Sequence, residues 1–376
     1  MKIILAAGVF YPDVGGPAIH VRKIAEAFTK NGWSVKVITY GHNKDEDNFP
    51  FVVSRVSRSY PGFLRWLIYF IKMFFSSFNA GAIYAFDPTA AGLPAALAAK
   101  ILRKKFIIRL GGDPIWERVV ERGERFLSLE DYYEQKLHLQ DKPRLFKLIR
   151  WVMKSADRVV VYSQFFKDFC VKYLGVEPNR IEIIANPVTR REDASMPKEI
   201  AILFAGRFVK YKNLEMLVEV FAKLRSKFQY GKLILIGHGP EEDVLRDLVE
   251  NIGASDYIEI LPSLPQEALF NQIRSAAVCI GPALSEFNPN FILECLSFGK
   301  PTILSKGNGL TVQLPEDWLF DPKSASDLEN KLSQFFDKNF YEQSLARVKQ
   351  LPMSQSWEKV VGEHIEIIKQ MTKRKI

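Results

Sequence analysis

A chain of 376 residues with 47% hydrophobic and 25% charged side chains has an ordinary globular composition, and its length exceeds what one hydrophobic core usually serves, which points to two domains of about 180 residues each. The formal net charge of +9 favours an acidic partner, whether nucleic acid, an anionic membrane or a phosphorylated substrate, without choosing among them. Three cysteines, Cys170, Cys279 and Cys295, are too few and too scattered for a disulfide framework or a metal cluster; buried apolar thiols in a reducing compartment are expected.

The chain opens on "MKIILAAGVFYP". Its apolar run is short and lacks a small-residue cleavage site, so a buried first strand is expected there and not a signal peptide. No window holds about 18 uninterrupted apolar residues, the length a spanning helix needs. Strand-like and helix-like segments then alternate: "KIILAAG", a helical "AIHVRKIAEAFTKNG", "SVKVITYG", and further strands "AIYAF", "KFIIRLGG", "RVVVYS" and "RIEIIANPV". The polar, aperiodic "TRREDASMPKE" follows as a linker. A second series runs "IAILFAGR", "KLILIGHG", "YIEILPS", "VCIGPA" and "PTILSKG". One architecture, not one sequence, therefore repeats on either side of a linker. The expected fold is α/β, with two doubly wound Rossmann-like domains whose parallel sheets face a central cleft. The expected domains are residues 1–188 and 198–353, with a last helix at about 354–376 packing back onto the first.

Ligands of such open sheets bind beyond the carboxyl ends of the strands. After the first strand, Gly15 and Gly16 would let backbone approach a phosphate at a helix N-terminus, although a glycine pair also serves simply as a turn. A dinucleotide fold calls for G-x-G-x-x-G here and an acidic residue about twenty positions later. Neither is present, which disfavours a nicotinamide dehydrogenase. In "FAGRFVKYKN", Arg207 and Lys212 leave one strand end and can converge on a diphosphate; a solvated basic loop is the plainer alternative. Gly237 and Gly239 bracket His238 in "LIGHGPEE", as a tight turn or as a backbone lining for a nucleotide. In "SEFNPNFILECLSFGKP", Asn288 and Pro289 predict a capped helix start, giving a helix from about Pro289 to Phe298. Glu286 then sits in the preceding loop and Glu294 in the second turn among apolar neighbours, where a carboxylate needs partners. Ribose hydroxyls would serve, and so would an ion pair to a nearby Lys or Arg.

The E-x7-E of Glu286 and Glu294 resembles the signature of retaining glycosyltransferases of family four, which have the GT-B fold. Arg207 and Lys212, the "LIGHGP" turn and the "GG" after the first strand fall in that family's order, so the resemblance covers nearly the whole chain, specifically in its second half and loosely in its first. It implies a transferase that moves a sugar from a nucleotide diphosphate sugar to a hydroxyl of a carbohydrate or lipid-linked acceptor, as in cell-surface polysaccharide or glycolipid assembly. By motif match, Glu286 would contact the donor sugar and Glu294 the ribose, while Arg207 and Lys212 would hold the diphosphate. Backbone of Phe287, Asn288, Pro289 and Asn290, and of Gly16, would approach donor phosphate and sugar. Asp113 in "RLGGDPIW" stands where such enzymes place a His or Asp near the reacting carbon, and a structural loop aspartate is the alternative. The resemblance also implies retention of configuration by front-face attack, with no essential metal and no cofactor beyond the nucleotide-sugar co-substrate. The acidic "KDEDN", Lys44 to Asn48, accordingly reads as a solvated loop. Departures are Phe287-Asn288 in place of a glycine-rich form, Lys212-Asn213 in place of Lys-Gly, and "ANPV" in place of "PNG".

One further segment stands out. In "RSYPGFLRWLIYFIKMFFSSF", Arg65 and Lys72 lie seven apart on one face of a helix that is otherwise aromatic and aliphatic. Such a helix can lie on an anionic membrane with its cations toward phosphates, or form a core helix with a narrow wet stripe. With the basic "KILRKK" it favours a cytoplasmic chain peripheral to the membrane's cytoplasmic face and a lipid-linked acceptor. Another GT-B activity, such as nucleotide-sugar epimerisation, and a non-catalytic glycan or lipid binder are the alternatives. Nucleic-acid binding has only the charge behind it.

Overall fold

A computed structural model of the chain describes residues 1–13, 16–41, 48–191, 200–353 and 356–372. The chain divides into two compact units: Met1–Asp113 with His138–Ala185 and Trp357–Ile376, and Pro114–Leu137 with Asn186–Ser356.

The first unit begins with strand β1 (Lys2–Ala6), helix α1 (Gly16–Lys30), β2 (Ser34–Tyr40) and β3 (Val52–Val56). Helix α2 (Gly62–Ser77), β4 (Ala82–Ala85), α3 (Gly92–Leu102) and β5 (Lys105–Arg109) follow. Two short helices, α4 (Trp116–Glu121) and α5 (Leu129–Glu134), belong to the second unit, and the first resumes to supply β6 (Arg158–Val161) and β7 (Ile181–Ile183). The seven strands form one sheet in the order β3-β2-β1-β4-β5-β6-β7, every neighbouring pair parallel. Its central strands are apolar almost throughout, as strands covered on both faces by crossover helices must be; Ile3, Ile4, Leu5, Ile83 and Tyr84 are fully buried. Val21, Ile24, Ala25 and Phe28 recur at helical spacing and give α1 its buried face. The C-terminal helix Trp357–Thr372 joins this core through Val360, Val361, Ile365 and Ile368.

The second unit carries β8 (Ala201–Arg207), β9 (Lys232–His238), β10 (Ile258–Leu261), β11 (Val278–Gly281), β12 (Thr302–Ser305) and β13 (Leu319–Phe320). Their order is β10-β9-β8-β11-β12-β13, again all parallel. The chain moves outward from β8 to β9 on one side and restarts at β11 on the other. The order therefore reverses between β8 and β11, and in the first sheet between β1 and β4. Such a switch point leaves an open crevice at the carboxyl ends of the two strands.

The structure departs from the sequence expectations in three places. Strands β3 and β13 were not foreseen: β3 is a short edge strand interrupted by Ser54 and Arg55, and β13 has two residues. Residues 114–137 fall inside the expected first domain yet pack with the second unit. There Trp116 lies 5.1 Å from Tyr211 and 5.8 Å from Phe287 between ring centroids, and Lys323 pairs with Asp131. Part of the expected linker (192–199), and the ends of the expected last helix (354, 355 and 373–376), lie outside the described residues. Cys170, Cys279 and Cys295 are free and buried.

Candidate functional site

The second unit's switch point gathers the residues singled out in the sequence. Arg207 ends β8, and a 3-10 turn, Lys210–Lys212, leads into the helix Leu214–Phe228. Asn213 joins turn and helix at φ 58°. That left-handed conformation is one that glycine adopts freely and asparagine more readily than most other residues, which accounts for Asn at this position. The Asn213 amide also donates to the Pro322 carbonyl at 2.9 Å.

The loop after β11 is tied down along its length. Leu284 donates its N–H to Tyr211 O at 2.8 Å, and Gly309 donates to Glu286 O at 2.7 Å. Leu129 donates to the Ser285 hydroxyl at 2.9 Å. Phe287 is buried with its ring edge-on to Trp116. These ties fix the Glu286 carboxylate, which pairs with the Lys212 ammonium. Their side chains keep only 20% and 14% of their surface exposed. Burial works against the Lys212 charge, but Glu286 outweighs it and holds the ammonium above its ordinary range. Arg207 makes its own ion pair to Glu121 of α4 at 2.7 Å, with the Tyr211 hydroxyl 3.5 Å away.

The helix that follows runs Asn290–Ser297 and so starts one residue later than expected. Pro289 occupies the cap position without a side-chain cap, and Asn288 does not cap the helix. Its amide donates to Asn290 Oδ1 at 2.9 Å, an oxygen that also accepts from Asn186 at 2.8 Å. The Asn288 Oδ1 is buried with no hydrogen-bond partner among the described residues. Glu294 lies in the second turn, as expected. No ion pair or hydrogen bond reaches its carboxylate among the described residues, so the alternative of a structural ion pair is not formed among them. Burial pushes its carboxyl above the usual range, and the Arg191 charge only partly offsets this. The Arg191 guanidinium lies over the Phe270 ring, 4.1 Å from its centroid.

Gly237 and Gly239 have a structural reason to be glycine. A Cβ on Gly237 would lie 1.9 Å from Gly206 O, and one on Gly239 would lie 2.2 Å from Phe208 O. The strand-end loops of β8 and β9 thus touch backbone to backbone, joined by the Phe208 N–H to His238 O bond at 2.9 Å.

The remaining candidates belong to the first unit. Gly16 opens α1 and is exposed, whereas Gly15 lies outside the described residues, as do residues 44–47 of the acidic loop. Asp113 is buried, close enough to Cys170 for its charge to add to the burial that raises that thiol. Arg65 and Lys72 share one flank of α2, as their spacing requires, but both turn back toward the protein. Lys72 Nζ donates to Arg55 O at 2.6 Å and Arg65 donates to Arg58 O at 3.2 Å. The outward arc of α2 is instead apolar, with Phe63, Leu64, Ile71 and Phe75 exposed. No helix among the described residues is long and apolar enough to cross a membrane.

Sequence reasoning missed Glu121, the Trp116–Tyr211–Phe287 ring cluster and the Ser285 tie. Each depends on α4 and α5 belonging to the second unit, for which "DPIWERVVE" and "SLEDYYE" carry no local signal.

Comparison with known proteins agrees with this architecture. The family model for glycosyltransferase family 4 matches residues 14–192 and that for glycosyl transferases group 1 matches residues 186–350. An uncharacterised glycosyltransferase of Methanocaldococcus jannaschii is 22% identical over 98% of both chains. A phosphatidylinositol N-acetylglucosaminyltransferase chain of Arabidopsis thaliana is 20% identical over 84% of this chain and 70% of its own. Among solved structures, sucrose-phosphate synthase from Thermosynechococcus elongatus superposes with a TM-score of 0.74 at 17% identity over 98% of each chain. HepE from Anabaena, in complex with UDP-glucose, gives 0.74 at 14% identity over 98% of this chain and 100% of its own. With two parallel-sheet Rossmann-like domains matched in sequence from residue 14 to residue 350, the chain is a GT-B glycosyltransferase of the group 1 and family 4 type.

Proposed function

We propose that the chain transfers a glycosyl group from a nucleotide diphosphate sugar to a hydroxyl of a carbohydrate or lipid-linked acceptor, with retention of anomeric configuration and without an essential metal. The observation that carries this is the placement of Arg207, Lys212 and Glu286 on the two loops that flank the β8/β11 switch point, with Glu294 one helical segment further on. Lys212 and Glu286 neutralise each other, which keeps either from being a buried uncompensated charge. When the donor arrives, its diphosphate takes Lys212 and Arg207, and its sugar hydroxyls take Glu286. The half-buried Glu294 carboxylate accepts from the ribose hydroxyls and loses its unfavourable isolation. Backbone of Phe287, Asn288, Pro289 and Asn290 lines the sugar and diphosphate, together with Gly237.

In the transfer, the bond from the anomeric carbon to the diphosphate oxygen breaks and a bond to the acceptor oxygen forms on the same face. The acceptor proton passes to the leaving phosphate, whose growing charge Lys212 and Arg207 stabilise. Asp113 is assigned to the neighbourhood of the reacting carbon, and no proton is routed through it. The first unit is assigned to the acceptor, on the cytoplasmic side of a membrane surface. Support for a nucleotide sugar and a lipid-linked or phosphorylated acceptor comes from proteins like this one. A structural neighbour holds UDP-glucose, one relative is named for phosphatidylinositol, and another, from Acidothermus cellulolyticus, is named for D-inositol 3-phosphate.

The test is donor turnover. Purified protein is incubated with UDP-, GDP- and ADP-sugars, and nucleotide release is followed with the anomeric configuration of the product read by proton NMR. Release from one donor with retention is expected. No release from any of them, with or without added acceptors, would leave a non-catalytic binder as the better account.

A further inference from the structure

Residues 114–137 leave the first unit's chain after Asp113, form part of the second unit and return to the first at His138. Within that excursion Trp116, the first residue of α4, is fully buried. Its ring lies 5.1 Å from that of Tyr211 and 5.8 Å from that of Phe287 between centroids, at interplanar angles of 55° and 81°. Tyr211 immediately precedes Lys212, and Phe287 immediately follows Glu286. One indole therefore packs against the residue next to each member of the Lys212–Glu286 pair.

Backbone also joins these two loops, where Leu284 donates to Tyr211 O at 2.8 Å. One such bond sets their separation at Tyr211 but not the angle between them. Trp116 adds a contact beside the charges themselves, and a rigid ring with few torsions holds a spacing at little entropic cost. The indole is itself held, since its Nε1 donates to Leu127 O at 2.9 Å. Two residues further on, Leu129 donates to the Ser285 hydroxyl at 2.9 Å. The segment thus grips the Glu286 loop on both sides of the carboxylate, at Ser285 and at Phe287. It also reaches Arg207, whose guanidinium pairs with Glu121 at 2.7 Å.

We propose that Trp116 is a positioning residue for glycosyl transfer, a wedge between the Tyr211 and Phe287 rings that sets Lys212 against Glu286. It acts through those two rings and not on the donor. A tryptophan that merely filled the core could take apolar neighbours from any element, whereas both of these rings come from the loops that carry the charges. Misplacing a group by about 1 Å can cost on the order of 100-fold in rate, so a wedge at this point has leverage on turnover. The effect on rate rests on the transfer proposed above; the effect on the ion pair does not.

The test compares Trp116→Leu, which shrinks the wedge, and Trp116→Phe, which keeps a ring, with Leu332→Ala, a change at a fully buried position elsewhere in the second unit's core. Per folded molecule, judged by circular dichroism, Trp116→Leu is expected to lose about tenfold or more in kcat for nucleotide release, with a smaller change in donor KM. Trp116→Phe should fall between it and the wild type, and it carries the comparison alone if Trp116→Leu does not fold. Leu332→Ala should keep the parental kcat. A second readout needs no activity: lysines are reductively methylated with carbon-13 and titrated by NMR, the Lys212 signal being the one lost in Lys212→Ala. Glu286 holds that ammonium above its ordinary range, so loosening the pair should lower its titration midpoint in the Trp116 variants and not in Leu332→Ala. A parental Lys212 midpoint in the folded Trp116 variants, a parental kcat in them, or equal changes in Leu332→Ala would each overturn the proposal. A wild type that releases nucleotide from no donor would overturn the transfer itself, and the Lys212 midpoint would still decide whether Trp116 sets the pair.

Discussion

Glu294 illustrates how a single carboxylate can be costly to the fold and useful to the site. Burial raises its folded-state pKa above the unfolded value, so the folded protein binds this proton more tightly, and the group destabilises the fold once the pH is above both values. Lowering the pH through the raised range relieves that penalty. Glu294→Gln is therefore expected to raise the melting temperature of the ligand-free protein at neutral pH, with the gap to wild type closing as the pH falls toward the carboxylate range. The same variant should show a smaller thermal response to the donor. A lower melting temperature at neutral pH would mean that the carboxylate is stabilised in the fold and would contradict this reading. For the paired residues, Glu286→Gln and Lys212→Ala should each slow turnover by about tenfold or more, roughly 1.4 kcal/mol in barrier, measured as nucleotide release at saturating donor. Glu286, Glu294, Arg207 and Lys212 were legible in the sequence because strand ends and a helix start frame them. The pairing of Lys212 with Glu286 was not, since 74 residues separate partners that only the adjacency of β8 and β11 brings together.

The loops after β8 and β9 meet at backbone distance, and that contact is testable apart from catalysis. Gly237→Ala would drive a Cβ into Gly206 O and should destabilise the second unit by a few kcal/mol, on the order of other core overpacking changes. At Asn213, alanine in the left-handed region should cost about 1–2 kcal/mol. Asn213→Gly should cost less, losing only the hydrogen bond to Pro322, and urea denaturation separates the two. Equal costs would show that the bond matters and the backbone conformation does not. Most strands were readable from their buried apolar runs, because parallel strands covered on both faces carry no polar alternation to confuse them. Strand β3 escaped because Ser54 and Arg55 break its pattern. The start of the helix Asn290–Ser297 was misplaced by one residue because Pro289, and not Asn288, takes the cap position, while the Asn288 amide donates to Asn290 and its Oδ1, the group a cap would use, accepts no bond among the described residues. In α2 the spacing of Arg65 and Lys72 correctly gave a shared face, but the direction of that face was set by backbone acceptors on Arg55 and Arg58 that no periodicity reveals.

Each of the two units borrows chain from outside its main span. The helix Trp357–Thr372 completes the first unit's core, so a chain ended before Trp357 should lose Val360, Val361, Ile365 and Ile368 from that core. Its first unit is expected to melt earlier than in the parent, with the second unit's transition unchanged in calorimetry. The repeat of strand and helix announced two domains, yet the allegiance of residues 114–137 was hidden, because Trp116 is ordered by Tyr211 and Phe287, rings far along the chain. The central claim is that a nucleotide diphosphate sugar binds at the β8/β11 switch point through Lys212 and Glu286. A ligand that binds only the folded state raises its melting temperature, so thermal shift with UDP-, GDP- and ADP-sugars, on wild type, Lys212→Ala and Glu286→Gln, tests it most directly. A rise with one of these donors in the wild type that is largely lost in both variants is the predicted result. No rise with any donor, or a rise of the same size in all three proteins, would contradict it.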